Sequence, residues 1–151
     1  MRELAERLLN RSEKIWLRAK PLFEPYRQVS ETDIALAEEK IGAALPADLR
    51  DWLLLAGYGD IDGNLSFRFE WLSRVEQGRR GGALLFAQDI LGNFYAYAET
   101  DGSIVFFSRS APEYAVLAPS FRTFMEELER RDYKIMEWVE SLAGLPYRWD
   151  A

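Results

Sequence analysis

The sequence contains no cysteine and no histidine. Together these absences remove disulfides, thiolate chemistry, imidazole general bases and the commonest zinc ligands. No apolar run approaches the roughly 20 residues that cross a bilayer; the richest are short pieces such as Trp52-Leu53-Leu54-Leu55-Ala56. The opening Met1-Arg2-Glu3-Leu4-Ala5-Glu6-Arg7 interleaves charge with apolar residues and so lacks the uninterrupted apolar segment of a secretory signal. A cytoplasmic location, no membrane partner, no cofactor and no metal are the resulting expectations. Positive charge is also short. With 19 Lys and Arg against 25 Asp and Glu, the formal net charge is -6, and this argues against nucleic acid as a direct ligand, because phosphate neutralisation needs clustered cations. A protein with a basic surface is the better-matched partner.

What is present describes a globular chain. At 151 residues it fits one domain, and a hydrophobic share of 48% with 14% aromatic residues is more than a disordered chain carries. The charge is uneven: residues 1–30 hold seven Lys/Arg against four Asp/Glu, whereas residues 31–66 hold two against eight. That acidic block reads either as solvated helix faces or as a partner surface.

Leu4, Leu8 and Ile15 recur at helical spacing and predict an amphipathic first helix over Leu4–Ala19. Pro21 and Pro25 exclude regular helix next, so residues 20–29 read as a connector whose Leu22, Phe23 and Tyr26 can reach the core. Ser30-Glu31-Thr32-Asp33 fits a capping box and opens a second helix that ends at Gly42. Pro46 opens a third at its first helical position, with Leu49, Trp52, Leu53 and Ala56 as its buried stripe and Gly57 as its stop.

After the turn-rich 58–64 segment the period switches to two. Leu65, Phe67 and Phe69 alternate with Ser66, Arg68 and Glu70 as in a half-buried strand. A Gly-rich connection over 78–82 precedes strands at Ala83–Ala87, Phe94–Ala98 and Ile104–Ser108, with Asp101-Gly102 as a hairpin signal, and a short strand at Tyr114–Leu117. Ser120 caps a helix bearing Phe121, Phe124, Met125 and Leu128; Ile135, Trp138, Val139 and Leu142 mark a final one. The order predicts one α+β domain over 1–151, mainly antiparallel sheet with helices from the N- and C-terminal segments, and an N-terminal helical extension at about 1–29.

Chemical motifs are few. Asp60-Ile61-Asp62-Gly63-Asn64 starts like a calcium loop, but Leu65 stands where its glycine belongs and Trp71 where its bidentate glutamate belongs. Gly57-Tyr58-Gly59 lacks the third glycine of a dinucleotide fingerprint and follows a helix instead of a strand. Carboxylate pairs can run acid–base chemistry without histidine, and Asp89, between two apolar runs, is the best candidate for a carboxylate-dependent hydrolase; its alternative role is turn formation. No second carboxylate can be paired with it from sequence, and no enzymatic activity is expected.

Three stretches resemble the SUKH superfamily, specifically its Smi/Knr-type domains, over roughly Ser30 to Leu128. They are Ala37-Glu38-Glu39-Lys40-Ile41-Gly42 with Leu45-Pro46-Ala47-Asp48-Leu49-Arg50-Asp51-Trp52-Leu53; Leu85-Phe86-Ala87-Gln88-Asp89-Ile90-Leu91-Gly92-Asn93-Phe94-Tyr95-Ala96; and Ile104-Val105-Phe106-Phe107 followed by Ala118-Pro119-Ser120-Phe121-Arg122-Thr123-Phe124. Asn93 departs from the aspartate of many relatives. The resemblance implies an α+β fold and, for bacterial members, an immunity protein that binds and neutralises a toxin, often a nuclease; a regulatory or scaffold domain is the alternative the family also includes. The candidate partner contacts are Asp60, Asp62, Glu70, Asp89 and Glu99.

Overall fold

In a computed structural model, residues 1–15, 18–76, 81–142 and 144–146 are described. Among the described residues, five helices and eleven strands follow one another in the order α1 (Arg2–Leu9), β1 (Ser12–Ile15), β2 (Arg18–Pro21), β3 (Phe23–Arg27), α2 (Glu31–Ile41), α3 (Ala47–Ala56), β4 (Tyr58–Ile61), β5 (Leu65–Phe67), β6 (Ser73–Arg74), β7 (Leu84–Asp89), β8 (Phe94–Tyr97), β9 (Ile104–Phe107), β10 (Glu113–Ala118), α4 (Phe121–Arg130), α5 (Ile135–Glu140) and β11 (Leu145–Pro146). Strands β3 to β11 form one sheet in the order β11-β10-β9-β8-β7-β5-β4-β3, with β6 beside β7, and every pairing is antiparallel. The fold is α+β, as the residue pattern predicts.

The helices gather over one sheet face because that face is aromatic. Phe86 of β7 meets Phe121 of α4 edge-on at 5.5 Å and Tyr97 of β8 at 5.3 Å, Tyr95 packs 6.2 Å from Phe124, and Phe124 stacks on Trp138 of α5 at 5.5 Å. Trp52 of α3 joins Phe67 and Phe121. Each of these side chains stabilises the fold by about 1.5–3 kcal/mol when fully buried. Alternate strand positions point the other way, where Ala83, Ala96, Val105 and Phe107 form a smaller apolar cluster ringed by Val75, Leu85, Phe94, Ala98 and Tyr114.

Local chemistry explains the helix ends. Ser30 Oγ accepts from the Asp33 amide at 3.2 Å while Asp33 accepts from the Ser30 amide at 2.8 Å, the reciprocal capping box that starts α2. The Ser30 amide and hydroxyl both donate to the Asp33 carboxylate and hold it below its usual range. Gly42 ends α2 at φ +72°, and the Glu38 carboxylate then accepts from the Leu45 amide at 2.7 Å, fixing the link to α3. Helix α3 begins at Ala47, so Pro46 sits one position earlier than expected, at the N-cap.

Three sequence expectations are corrected. The first helix ends at Leu9 and not Ala19, and the chain turns back as a β1–β2 hairpin pairing Ser12 with Pro21. The apolar stripe explains why: after Leu4 and Leu8 its next turn falls on Arg11 and Ser12, which are polar. Arg11 pairs with Asp132, and its carbonyl accepts from the Leu22 amide at 3.0 Å. The 20–29 connector contains the edge strand β3, where Pro25 is tolerated because an edge strand need not donate on both sides. Leu22 and Phe23 are buried as expected, whereas Tyr26 is 44% exposed.

The third correction lies after β5. The strand stops at Phe67, and a single 3-10 turn, Phe69–Trp71, carries the chain out before it rejoins β7 as β6. Leu65 and Ser66 pair with Asp89 and Gln88, while Ser73 and Arg74 pair with Leu85 and Leu84, so β5 and β6 are two halves of one interrupted strand. Lys40 Nζ holds the excursion by donating to the carbonyls of Phe69 at 2.7 Å and Glu70 at 3.0 Å. Of the Gly-rich 78–82 connection, residues 78–80 fall outside the described residues, as do Tyr147 and Trp149.

Candidate functional site

The five acidic residues singled out in the sequence occupy different environments. Asp89 ends β7, is 6% exposed, and faces inward. Its Oδ1 accepts from the Leu91 amide at 3.0 Å and the Asn93 amide at 3.1 Å, and its Oδ2 accepts from Asn93 Nδ2 at 3.0 Å and the Tyr95 hydroxyl at 2.9 Å. Burial and the adjacent carboxylate push the Tyr95 phenol far above its ordinary range, so it stays a donor. Asn93 completes the cluster by accepting from the Arg109 amide at 2.9 Å. The amide side chain donates to Asp89 and accepts from Arg109 at once, which an ionised aspartate could not do, and this gives Asn93 a physical reason of its own.

This cluster stiffens the β7–β8 turn, and Gly92 closes it at φ +82° where any side chain would meet Arg109. The turn holds Ile90 and Leu91 out in solvent at 65% and 62% exposure. Two adjacent aliphatics on a rigid turn are a feature that sequence reading passed over, although an apolar pair between turn-forming Asp89 and Gly92 was the available signal.

Asp60 and Asp62, two residues apart, diverge. Asp60 lies in β4 opposite Ser66 of β5 and accepts a hydrogen bond from its hydroxyl. Asp62 sits in the following turn with φ +55° and pairs with Lys134 at 3.5 Å. The two carboxylates therefore have separate partners and do not form the start of a calcium cage; among the described residues no three acidic side chains gather as metal ligands would. Glu99 belongs to the β8–β9 hairpin, paired with Arg74 at 3.6 Å beside a cleft of about 290 Å³ that Tyr97 also lines.

Glu70 is exposed on the 3-10 turn and shares a cleft of about 220 Å³ with Tyr26, Arg27, Tyr58, Arg68 and Phe69. Arg68, extruded from the interrupted strand, lies over the Tyr26 ring at 4.2 Å and the Trp71 ring at 5.0 Å and donates to the Tyr26 hydroxyl at 2.7 Å. Desolvation, and after it hydrogen bonding to Asp60, raises the Tyr26 phenol. Asp60 and Glu70 thus border one region through Tyr26 and Arg68; Asp62, Asp89 and Glu99 do not join them.

The model of the SMI1/KNR4 family (SUKH-1) matches residues 28–127, two thirds of the chain. The chain belongs to this family. No curated protein and no solved structure gives a match. The SMI1/KNR4 span runs from the residues just before α2 through most of α4, and so contains the capping box, the Asp89 turn and the interrupted strand, while α1, β1, β2 and β3 precede it. Among the described residues no helix is long and apolar enough to cross a membrane.

Proposed function

We propose that this chain is a cytoplasmic, non-catalytic immunity protein that binds and neutralises a cognate bacterial toxin presenting a basic surface. The supporting observation is the concentration of Asp60, Glu70 and stacked aromatic and arginine side chains at one region beside α2, a composition suited to protein recognition. Membership of the SMI1/KNR4 family supports the same reading. A hydrolase built on Asp89 is disfavoured, because that carboxylate is enclosed by donors that serve the turn.

Of the proposed contacts, Glu70 is the cleanest to test, since its side chain is exposed and Asp62 is already paired with Lys134. Co-expression of the chain with toxins encoded beside it should protect the host. Glu70→Lys, with an unchanged melting temperature, should slow association about tenfold at low salt and lose that difference at high salt. No protection across the neighbouring toxins would favour a regulatory role; unaltered association would remove Glu70 from the interface.

A further inference from the structure

The same cleft holds a feature that acidic recognition does not use. Two residues that line it each carry an enclosed polar atom with no partner: Tyr58, only 3% exposed, its hydroxyl, and Arg68 its Nε. Buried polar atoms are satisfied in the great majority of cases, and an orphan costs about 1–3 kcal/mol. Both are donors. A guanidinium has no acceptor capacity, and burial pushes the Tyr58 phenol up to about 12, which keeps its proton in place at neutral pH.

The surroundings narrow what would accept from them. Arg27 lies over the Tyr58 ring at 5.6 Å and lines the cleft with Arg68, so two guanidinium groups face it, while Lys40 sits 4.7 Å over the Phe69 ring behind it. Against these stand Glu70 in the lining, Asp33 at 3.9 Å from Arg27, and Asp60 reached through Tyr26. The three cations are matched by three carboxylates, so no net charge draws in a dianion, and what distinguishes a ligand is its capacity to accept from the two unpartnered donors. The rings of Tyr26 and Trp71 and the bond to the Tyr26 hydroxyl orient the Arg68 guanidinium, whose Nε–H is the donor without a partner.

We propose that the Tyr26–Tyr58–Arg68 cleft, on a side-chain shift that uncovers its two enclosed donors, binds a carboxylate group whose oxygens accept from Arg68 Nε–H and the Tyr58 hydroxyl while Arg27 supplies the second positive charge. The site is independent of the toxin reading: an acidic side chain of a protein partner and a small carboxylic acid share this chemistry.

Titration of the ¹⁵N-labelled 151-residue chain separates them. Butyrate represents a small acid, and a Gly-Glu-Gly peptide with blocked ends represents an acidic side chain; methyl butyrate and sodium chloride at matched ionic strength are the controls. A saturable shift of the Arg68 Nε–H resonance with butyrate or the peptide, absent with both controls, is the expected result, and the stronger of the two identifies the source. Tyr58→Phe should weaken that binding about tenfold without lowering the melting temperature. Arg68→Lys, which keeps the charge but loses the planar fork, should abolish it. The site is refuted if neither carboxylate saturates the resonance, if chloride reproduces the shift, if Tyr58→Phe binds as well as the parent chain, or if inorganic phosphate binds more tightly than both carboxylates. Protection from a toxin plays no part in these readouts, so the two proposals stand or fall separately.

Discussion

The Asp89 turn and the Arg68 cleft are both polar clusters built on neighbouring strands, and they differ in completeness. Around Asp89 the carboxylate has backbone and side-chain donors, Asn93 has uses for both ends of its amide, and the Tyr95 hydroxyl is engaged. Around Arg68 the hydroxyl of Tyr58 and one guanidinium nitrogen are left over. A closed network fixes the shape of the chain, whereas an open one has capacity for something from outside. The acid that looked most chemical in the sequence is therefore architectural, and the arginine that looked like a solvated strand residue lines the more promising recess.

The contrast is sharpest at Asp89. Asp89→Ala would strand the donors of Asn93 and Tyr95 in the interior and should destabilise the fold by about 3 kcal/mol, measured by urea unfolding. A loss below about 1 kcal/mol would mean that the turn does not depend on its carboxylate. Asn93→Asp should be intermediate, at about 2 kcal/mol at neutral pH, because it replaces a donor with a second carboxylate about 3 Å away. Repulsion raises the pKa of the introduced acid above its unfolded value. Its penalty is therefore greatest at neutral pH and shrinks as the pH falls through that raised value, so melting curves of variant and parent should converge toward pH 4.

The smallest effect belongs to the open cluster. Tyr58→Phe deletes a hydroxyl with no partner, and stability should change by less than about 0.5 kcal/mol, or rise. A loss comparable to that of Asp89→Ala would show that the hydroxyl is satisfied in solution and would erase the distinction between the two clusters.

Much of the fold was legible in the sequence because short-range codes specify it. Ser30 and Asp33 announce α2 within four residues, Leu49, Trp52 and Leu53 mark the buried side of α3, and Asp101-Gly102 marks the β8–β9 hairpin; each has its expected counterpart in the structure. Elements that depend on distant partners were not legible. Nothing near Pro25 reveals that Gly59 will pair with it, and β3 exists as a strand only because β4 lies alongside. Gly59 itself is required there, since a Cβ would lie 2.5 Å from the Glu24 carbonyl oxygen.

The recess around Arg68 was hidden for the same reason. Tyr26 and Arg27 come from β3, Tyr58 from β4, and Arg68 to Glu70 from the excursion between β5 and β6. Strict alternation from Leu65 to Glu70 reads as uninterrupted strand, and the departure after Phe67 becomes visible only once Lys40 is seen holding the carbonyls of the 3-10 turn. Ile90 and Leu91 were in plain view but carried no period, so only the rigidity conferred by Asp89 and Asn93 gives their exposure meaning.

The outer rim of β3 limits how anything can dock there. Pro25 contributes no amide hydrogen, and the register slips between Pro25 and Arg27. An incoming extended peptide would find the rail broken halfway along and could not zip itself on as a tenth strand. Whatever meets this flank has to be chosen by its functional groups, and copies of the chain are discouraged from stacking edge to edge.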